Sequence, residues 1–293
     1  MKQLLILSGK GGTGKTTVAS ALIKLSKARA YADCDVDAPN LHLITEQISP
    51  PKKSDYYGMD KARINAELCI QCDKCIQHCR FDAITIDEYY KVDEFACEGC
   101  GVCELVCPTN AISLDPSVAG ELMLYQSDDE VFSTAQLKMG SGTSGMLVTE
   151  VKKQMKSVAE SAPLAIIDGS PGIGCPVIAS LSGVDMVLIV AEPSVSGISD
   201  MERIISTAGK FGIEVVVCIN KFDTNIAKSR QILQYCNENG IPFAGGIPFD
   251  DEAVQAINRG ITIVDVDCKS GLAVKEVYNN VMPLLFKDGD YEN

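Results

Sequence analysis

The sequence has no surplus of positive charge, no long apolar run and no low-complexity tract, and each absence removes a class of function. Lys and Arg number 26 against 39 Asp and Glu, a formal net charge of −13. A nucleic-acid surface needs clustered cations to meet phosphates, so no nucleic-acid partner is expected. The same deficit argues against attraction to anionic membranes. No apolar stretch approaches the roughly 18 residues that a spanning helix requires. The opening Lys2-Gln3-Leu4-Leu5-Ile6-Leu7 resembles a short signal core, but it breaks at Ser8-Gly9-Lys10 and reads better as a buried strand. Apolar residues make up 46% of the 293, so a packed core is expected rather than disorder.

Cysteine, in contrast, is abundant. Thirteen in a chain of this size, with no secretory signal expected, point to a reducing, cytoplasmic setting and to thiols that bind metal rather than pair as disulfides.

Along the chain, strand 3–8 leads through a glycine-rich loop into a helix from about residue 16, followed by a short strand near 30–33. Apolar strand candidates recur at 164–168, 186–191, 214–219 and 243–247, with helical stretches between them. This alternation implies an α/β fold with a mostly parallel sheet covered on both faces by helices. The text changes character near Pro50-Pro51, and regular alternation resumes after about residue 145. The cysteine-rich stretch between is read as a small inserted domain, 59–118, in a host formed by 1–58 and 119–293.

Gly9-Lys10-Gly11-Gly12-Thr13-Gly14-Lys15-Thr16-Thr17 fits G-x-x-x-x-G-K-[ST] between a strand and a helix. Glycines let the backbone turn its N–H groups toward phosphate oxygens, and the helix N-terminus adds its dipole. Lys15 would neutralise β- and γ-phosphate charge, and the Thr16 hydroxyl would help hold Mg²⁺.

Lys10 puts a second lysine inside the loop. G-K-G-G-T-G-K-T-T resembles the deviant Walker A signature of the MinD/ParA/Mrp class of P-loop ATPases, which includes the nitrogenase iron protein. The resemblance implies an ATP-dependent homodimer in which Lys10 reaches the partner's nucleotide. Asp33-Cys34-Asp35-Val36-Asp37 resembles the family's first switch, which implies that Asp35 orients or deprotonates the attacking water, with Asp33 or Asp37 assisting or only capping the chain. Ile166-Ile167-Asp168-Gly169-Ser170-Pro171-Gly172 resembles Walker B joined to the second switch. Asp168 would reach the Mg²⁺ shell, and Gly172 would let the backbone meet the γ-phosphate. Asn220-Lys221-Phe222-Asp223 spells the N-K-x-D guanine signature, yet in MinD-like proteins an Asn at this place meets adenine. Ile247-Pro248-Phe249-Asp250 resembles their base-flanking loop, so Asn220 and Pro248 are assigned to ATP.

Cys69-x₂-Cys72-x₂-Cys75-x₃-Cys79 repeats 28 residues later as Cys97-x₂-Cys100-x₂-Cys103-x₃-Cys107-Pro108. The echo continues in Asp82-Ala83-Ile84 and Asn110-Ala111-Ile112. This is the pattern of bacterial two-cluster ferredoxins, in which three close cysteines and the distant fourth of the other run hold each 4Fe-4S cubane. One cluster would use Cys69, Cys72, Cys75 and Cys107, the other Cys97, Cys100, Cys103 and Cys79. Zinc is the rival, but zinc sites seldom carry a third cysteine at x₂ and a fourth at x₃. Arg80 stands where the motif usually has proline, and His78 reads as a surface residue.

Cys218 reads as a small buried hydrophobe within a strand. Cys175 lies seven residues beyond Asp168, the offset at which the nitrogenase iron protein holds a cluster shared between subunits. The second cysteine of such a site is missing from 108–174, so helix packing competes with that role. A final helix over 271–286 carries Leu272, Val274, Val277, Val281 and Leu285 toward the sheet, and the acidic tail 288–293 speaks against membrane attachment.

The sum resembles a MinD-superfamily ATPase with an inserted ferredoxin domain. Three functions compete: an ATP-gated electron carrier, an iron–sulfur assembly or delivery ATPase, and a positioning protein with a redox-sensing module. The full ferredoxin spacing favours the first. The lack of a C-terminal C-x₂-C pair weakens the second, and the acidic tail weakens the third.

Overall fold

Strands that are apolar without interruption must be covered on both faces, and that requirement sets the centre of the molecule. The structure is a computed structural model describing residues 1–45, 49–159 and 161–287. The first part of the chain forms β1 (Lys2–Leu7), α1 (Lys15–Ser26), β2 (Ala30–Asp33) and β3 (Lys52–Tyr57). A cysteine-rich stretch follows with β4 (Lys61–Ile64), α2 (Lys74–His78), β5 (Ile84–Ile86), β6 (Tyr90–Val92), α3 (Val102–Leu105) and β7 (Ile112–Asp115). Then come β8 (Val118–Gln126), β9 (Val131–Leu137), α4 (Ser144–Val158), β10 (Leu164–Asp168), α5 (Cys175–Leu181), β11 (Met186–Ala191) and α6 (Val195–Lys210). The chain closes with β12 (Glu214–Asn220), α7 (Ile226–Glu238), β13 (Phe243–Ile247), α8 (Asp251–Asn258) and α9 (Lys269–Leu285).

Nine strands build the main sheet in the order β13-β12-β11-β1-β10-β2-β9-β8-β3. From β13 to β9 neighbouring strands run parallel, while β8 runs antiparallel to both β9 and β3. Alternate residues of β1 serve opposite faces. Leu4 and Ile6 join Val18, Leu22, Val274, Val277 and Val281 on the face of α1 and α9. Leu5 and Leu7 join Leu147, Val151, Met155, Leu181 and Ile204 on the face of α4, α5 and α6. Each such side chain taken from water contributes roughly 1.5–3 kcal/mol, so β1 is held from both sides.

Sequence periodicity locates the parallel centre but misses one edge. β3, β8 and β9 belong to the main sheet, so regular architecture resumes at Val118 rather than near residue 145. β9 carries Ser133 and Thr134 fully buried, which hides it from a search for apolar runs. The final helix packs as expected through Val274, Val277, Val281 and Leu285, whereas Leu272 is 58% exposed and faces away. The acidic tail lies outside the described residues. Among those described, no helix is long and apolar enough to cross a membrane.

The cysteine-rich stretch makes two small antiparallel pairs, β4 with β7 and β5 with β6. The 28-residue repeat governs its backbone. Left-handed conformations occur at Gln71, Asp73 and Asp82, and again at Gly99, Gly101 and Asn110. β4 maps onto β6, α2 onto α3 and β5 onto β7 by the same offset. The stretch is therefore two copies of one unit, each lending a strand to the other.

Candidate functional site

The phosphate loop leaves the C-terminal end of β1, where the chain departs to opposite sides of the sheet, the position at which α/β folds open a ligand crevice. Gly14 has φ +91°, and a Cβ there would stand 2.2 Å from Asn220 Nδ2, so both conformation and space demand glycine. A Cβ on Gly9 would sit 2.1 Å from Asp200 Cβ, which ties the loop closely to α6.

Behind the loop lies a buried charged cluster. Lys15 is 5% exposed and Asp168 fully buried, and Lys15 Nζ stands 2.6 Å from Asp168 Oδ1. Thr16 Oγ1 donates to Asp168 Oδ2 at 2.7 Å. Asp33 accepts from the main-chain N–H groups of Asp35 (3.0 Å), Asn40 (2.9 Å) and Leu41 (2.9 Å), which shapes the loop that carries Asp35. Burial, then the Asp168 carboxylate, push Asp33 up to about 7 despite those donors and Lys15. Burial also raises Asp35 above the usual carboxylate range, with Lys15 opposing. For Lys15 burial pulls downward, but Asp168 and more weakly Asp33 and Asp35 outweigh it and hold the ammonium above its ordinary value. The Asp168 carboxylate beside the Thr16 hydroxyl is an oxygen donor pair of the kind Mg²⁺ takes. Asp37 is exposed, and its main-chain carbonyl accepts from Gln136 Nε2 at 3.2 Å.

The segment that follows β10 is drawn against the phosphate loop. Gly172 N–H donates to Ser8 O at 3.0 Å, and Ser170 Oγ donates to Cys34 O at 2.5 Å. Gly172 N–H must leave Ser8 before it can meet a phosphate. Lys10 Nζ lies 2.5 Å from Glu192 Oε2 in the same chain. Sequence reading missed Glu192, although an acid directly after the apolar β11 is much the same signal as Asp168 at the end of β10.

Asn220 Nδ2 donates to Thr13 O at 2.7 Å, while its Oδ1 accepts from Lys221 N at 3.0 Å. A cleft of about 190 Å³ opens beside it, lined by Gly12, Thr17, Asn220, Pro248 and Phe249 among others. Asp223, the acid of N-K-x-D, accepts the Phe249 N–H at 2.8 Å and so fastens the loop at Pro248.

In the cysteine-rich stretch, Cys69, Cys72, Cys75 and Cys107 line one cavity. Cys79, Cys97, Cys100 and Cys103 line a second. All thirteen cysteines are free thiols. Among the described residues, no trio of His, Cys, Asp or Glu is gathered tightly enough for a single metal ion. A cubane spaces its thiolates more widely, one on each iron, around an inorganic core that needs room. Four cysteines lining one small hollow fit that group. Cys107 Sγ accepts the Ala111 N–H at 3.2 Å, a bond that stabilises a thiolate.

Contacts link this stretch to the loop before α4, and α4 in turn meets Cys175. A Cβ on Gly142 would lie 2.9 Å from Glu98 Oε2, and one on Gly140 would lie 3.0 Å from Phe95. These glycines sit in the loop from β9 to α4. At the start of α4, a Cβ on Gly145 would meet the Cys175 carbonyl at 3.2 Å. Cys175 is exposed at the start of α5, with Lys152 Nζ donating to Ser180 O (2.5 Å) and Ser182 O (2.6 Å) at that helix's other end. Cys34, Cys218, Cys236 and Cys268 are buried.

Comparison with known proteins agrees with this geometry. The CobQ/CobB/MinD/ParA nucleotide binding domain family matches residues 4–263. An uncharacterised protein of Methanocaldococcus jannaschii is 33% identical over 285 residues, covering 95% of this chain and 96% of that one. An iron-sulfur cluster carrier protein of Pyrococcus horikoshii is 25% identical, covering 89% and 79%. The structure of the septum site-determining protein MinD with Mg-ADP from Pyrococcus horikoshii OT3 superposes with a TM-score of 0.59 at 16% identity, covering 99% of both chains. With its phosphate loop, buried Lys15–Asp168 pair and parallel sheet, the chain belongs to the CobQ/CobB/MinD/ParA family and is a P-loop ATPase of that family.

Proposed function

We propose that the protein couples ATP-dependent dimer switching to electron transfer through two 4Fe-4S clusters. The observation that carries the proposal is the partition of eight cysteines into two cavities, each lined by one run's first three and the other run's fourth. Crossed ligation of this kind belongs to paired cubanes. Cys69, Cys72, Cys75 and Cys107 would hold one cluster, and Cys79, Cys97, Cys100 and Cys103 the other. The clusters would supply one-electron chemistry.

In the ATPase half, Lys15 and the loop amides would hold the β- and γ-phosphates, while Thr16 and Asp168 would hold Mg²⁺. As a ligand Asp168 would give up part of its bond to Lys15. Asp35 orients the water that attacks the γ-phosphorus, and the bond to the β–γ bridging oxygen breaks to give ADP and phosphate. Lys10 leaves Glu192 to reach a second protomer's nucleotide, which makes dimer closure dependent on ATP. The contacts from Glu98 and Phe95 through the 138–143 loop to α4 and Cys175 favour coupling, since α5 follows the second switch directly. Asn220 and Pro248 frame the base. Asp223 is engaged with Phe249 N–H, which favours adenine over guanine.

Cluster delivery is the alternative, favoured by the relative named as a carrier protein. Iron and sulfide analysis of anaerobically purified protein separates these readings. Cys107→Ser and Cys79→Ser are each expected to lose one cluster and keep the other. Iron that passes to an apo-acceptor on ATP addition would favour delivery; reversible reduction at constant iron favours relay. Protein without iron or sulfide would sink both.

A further inference from the structure

The internal repeat lets the two cysteine-lined cavities be compared position by position, and they are not equivalent. Beside Cys69, Cys72, Cys75 and Cys107 stand Asp73, Lys74, Tyr90 and Thr109. At the same places, 28 residues away, the other cavity has Gly101, Val102, Ala62 and Phe81. At these four places the first hollow has polar side chains and the second glycine, methyls and a phenyl ring, whereas the second has Glu98 where the first has Ile70.

Hydrogen bonds sharpen the contrast. Cys107 Sγ receives the Ala111 N–H at 3.2 Å and has Thr109 Oγ1 at 3.8 Å. Tyr90 donates its hydroxyl to Asp73. Cys79 is the repeat partner of Cys107, and Phe81 gives it a ring where Thr109 gives Cys107 a hydroxyl. Charge does not separate the two sites. Each hollow has one carboxylate in its lining, Asp73 in the first and Glu98 in the second, and one lysine nearby: Lys74 lines the first, and Lys61 donates to the Cys97 carbonyl at the second.

A cubane gains a negative charge on reduction. Donors directed at its thiolates stabilise that charge and raise its potential, whereas apolar walls disfavour it. We infer that the two sites are unequal by construction: the cluster held by Cys69, Cys72, Cys75 and Cys107 is the more readily reduced, and Thr109 helps set its potential. The inference rests on the cluster reading proposed above, and it adds an order between the two sites.

The test is a redox titration of the full-length, anaerobically purified protein, followed by electron paramagnetic resonance with iron content measured alongside. Two separate reduction steps are expected. Thr109→Val shifts the more positive step to lower potential and leaves the other in place. Phe81→Thr shifts the more negative step upward and narrows the gap. A single shared step in the unsubstituted protein overturns the inference, as does a Thr109→Val protein whose more positive step is unmoved. Full iron content in those cases leaves the cluster reading intact, whereas iron short of two full clusters overturns both.

Discussion

Lys15→Ala removes the cation that faces Asp33, Asp35 and Asp168, and it leaves Asp168 buried without its ion-pair partner. Both members of the pair are at most 5% exposed, so solvent does not screen the loss. Breaking a buried pair from one side costs about 3–5 kcal/mol. For a domain of this size each kcal/mol moves the melting midpoint by about 2–4 °C, so a fall of roughly 6–20 °C is expected. The assay is thermal unfolding of nucleotide-free protein in chelator, because bound ligand would stabilise the unsubstituted chain alone by mass action. Lys15→Ala/Asp168→Ala should be less destabilised than the sum of its single substitutions, since the double change removes the stranded charge. A Lys15→Ala midpoint within about 2 °C of the parent, with an additive cycle, would refute the reasoning.

Other expectations follow from the same cluster and its surroundings. Asp33 keeps its proton up to about pH 7 in the folded chain but loses it near 3.8 when unfolded. The folded state therefore binds more protons across that window, and the Asp33 contribution to stability falls as pH rises through it. Melting curves of nucleotide-free protein between those limits should show a downward component that Asp33→Asn removes. Asn220→Ala loses the 2.7 Å bond to Thr13 O that steadies the phosphate loop. At a net 0.5–1.5 kcal/mol for such a bond, ATP affinity should weaken up to about tenfold by calorimetry, and unchanged affinity would count against that role. Lys10→Ala should keep ATP binding but lose ATP-dependent dimerisation in sedimentation, and a dimer that persists would show that Lys10 has no part across the interface.

The parts most legible in the sequence are those whose signals are local. β1 and β10 are short apolar runs, and Lys15, Thr16 and Asp168 sit at fixed offsets from strand ends, so their meeting in space could be read without tertiary information. Cys79 and Cys107 each line the cavity of the other run, the crossing that the likeness to two-cluster ferredoxins implied. β3 was not legible, because Lys52-Lys53-Ser54-Asp55-Tyr56-Tyr57 is a mostly exposed edge strand with a polar sequence. β9 was hidden for the opposite reason: Ser133 is buried yet satisfied by Val151 O and Gln154, so its polarity gave no clue to its place. Asn220 could be seen to close an apolar strand, but its bond to Thr13 spans 207 residues and exists only in the folded molecule. Asp33 was read as an assistant or a cap. Its three main-chain bonds show that it braces the loop carrying Asp35, whatever else it does in the nucleotide-bound state.

The central claim is that nucleotide and clusters are coupled within one chain. It is tested most directly by electron paramagnetic resonance of the anaerobically purified, reduced protein without nucleotide, with Mg-ADP and with Mg-ATP. Two cubane signals whose shape or midpoint potential changes with Mg-ATP, and changes less with Mg-ADP, are predicted. Two cubane signals that stay the same in all three states would contradict the claim and leave the clusters and the ATPase as independent modules.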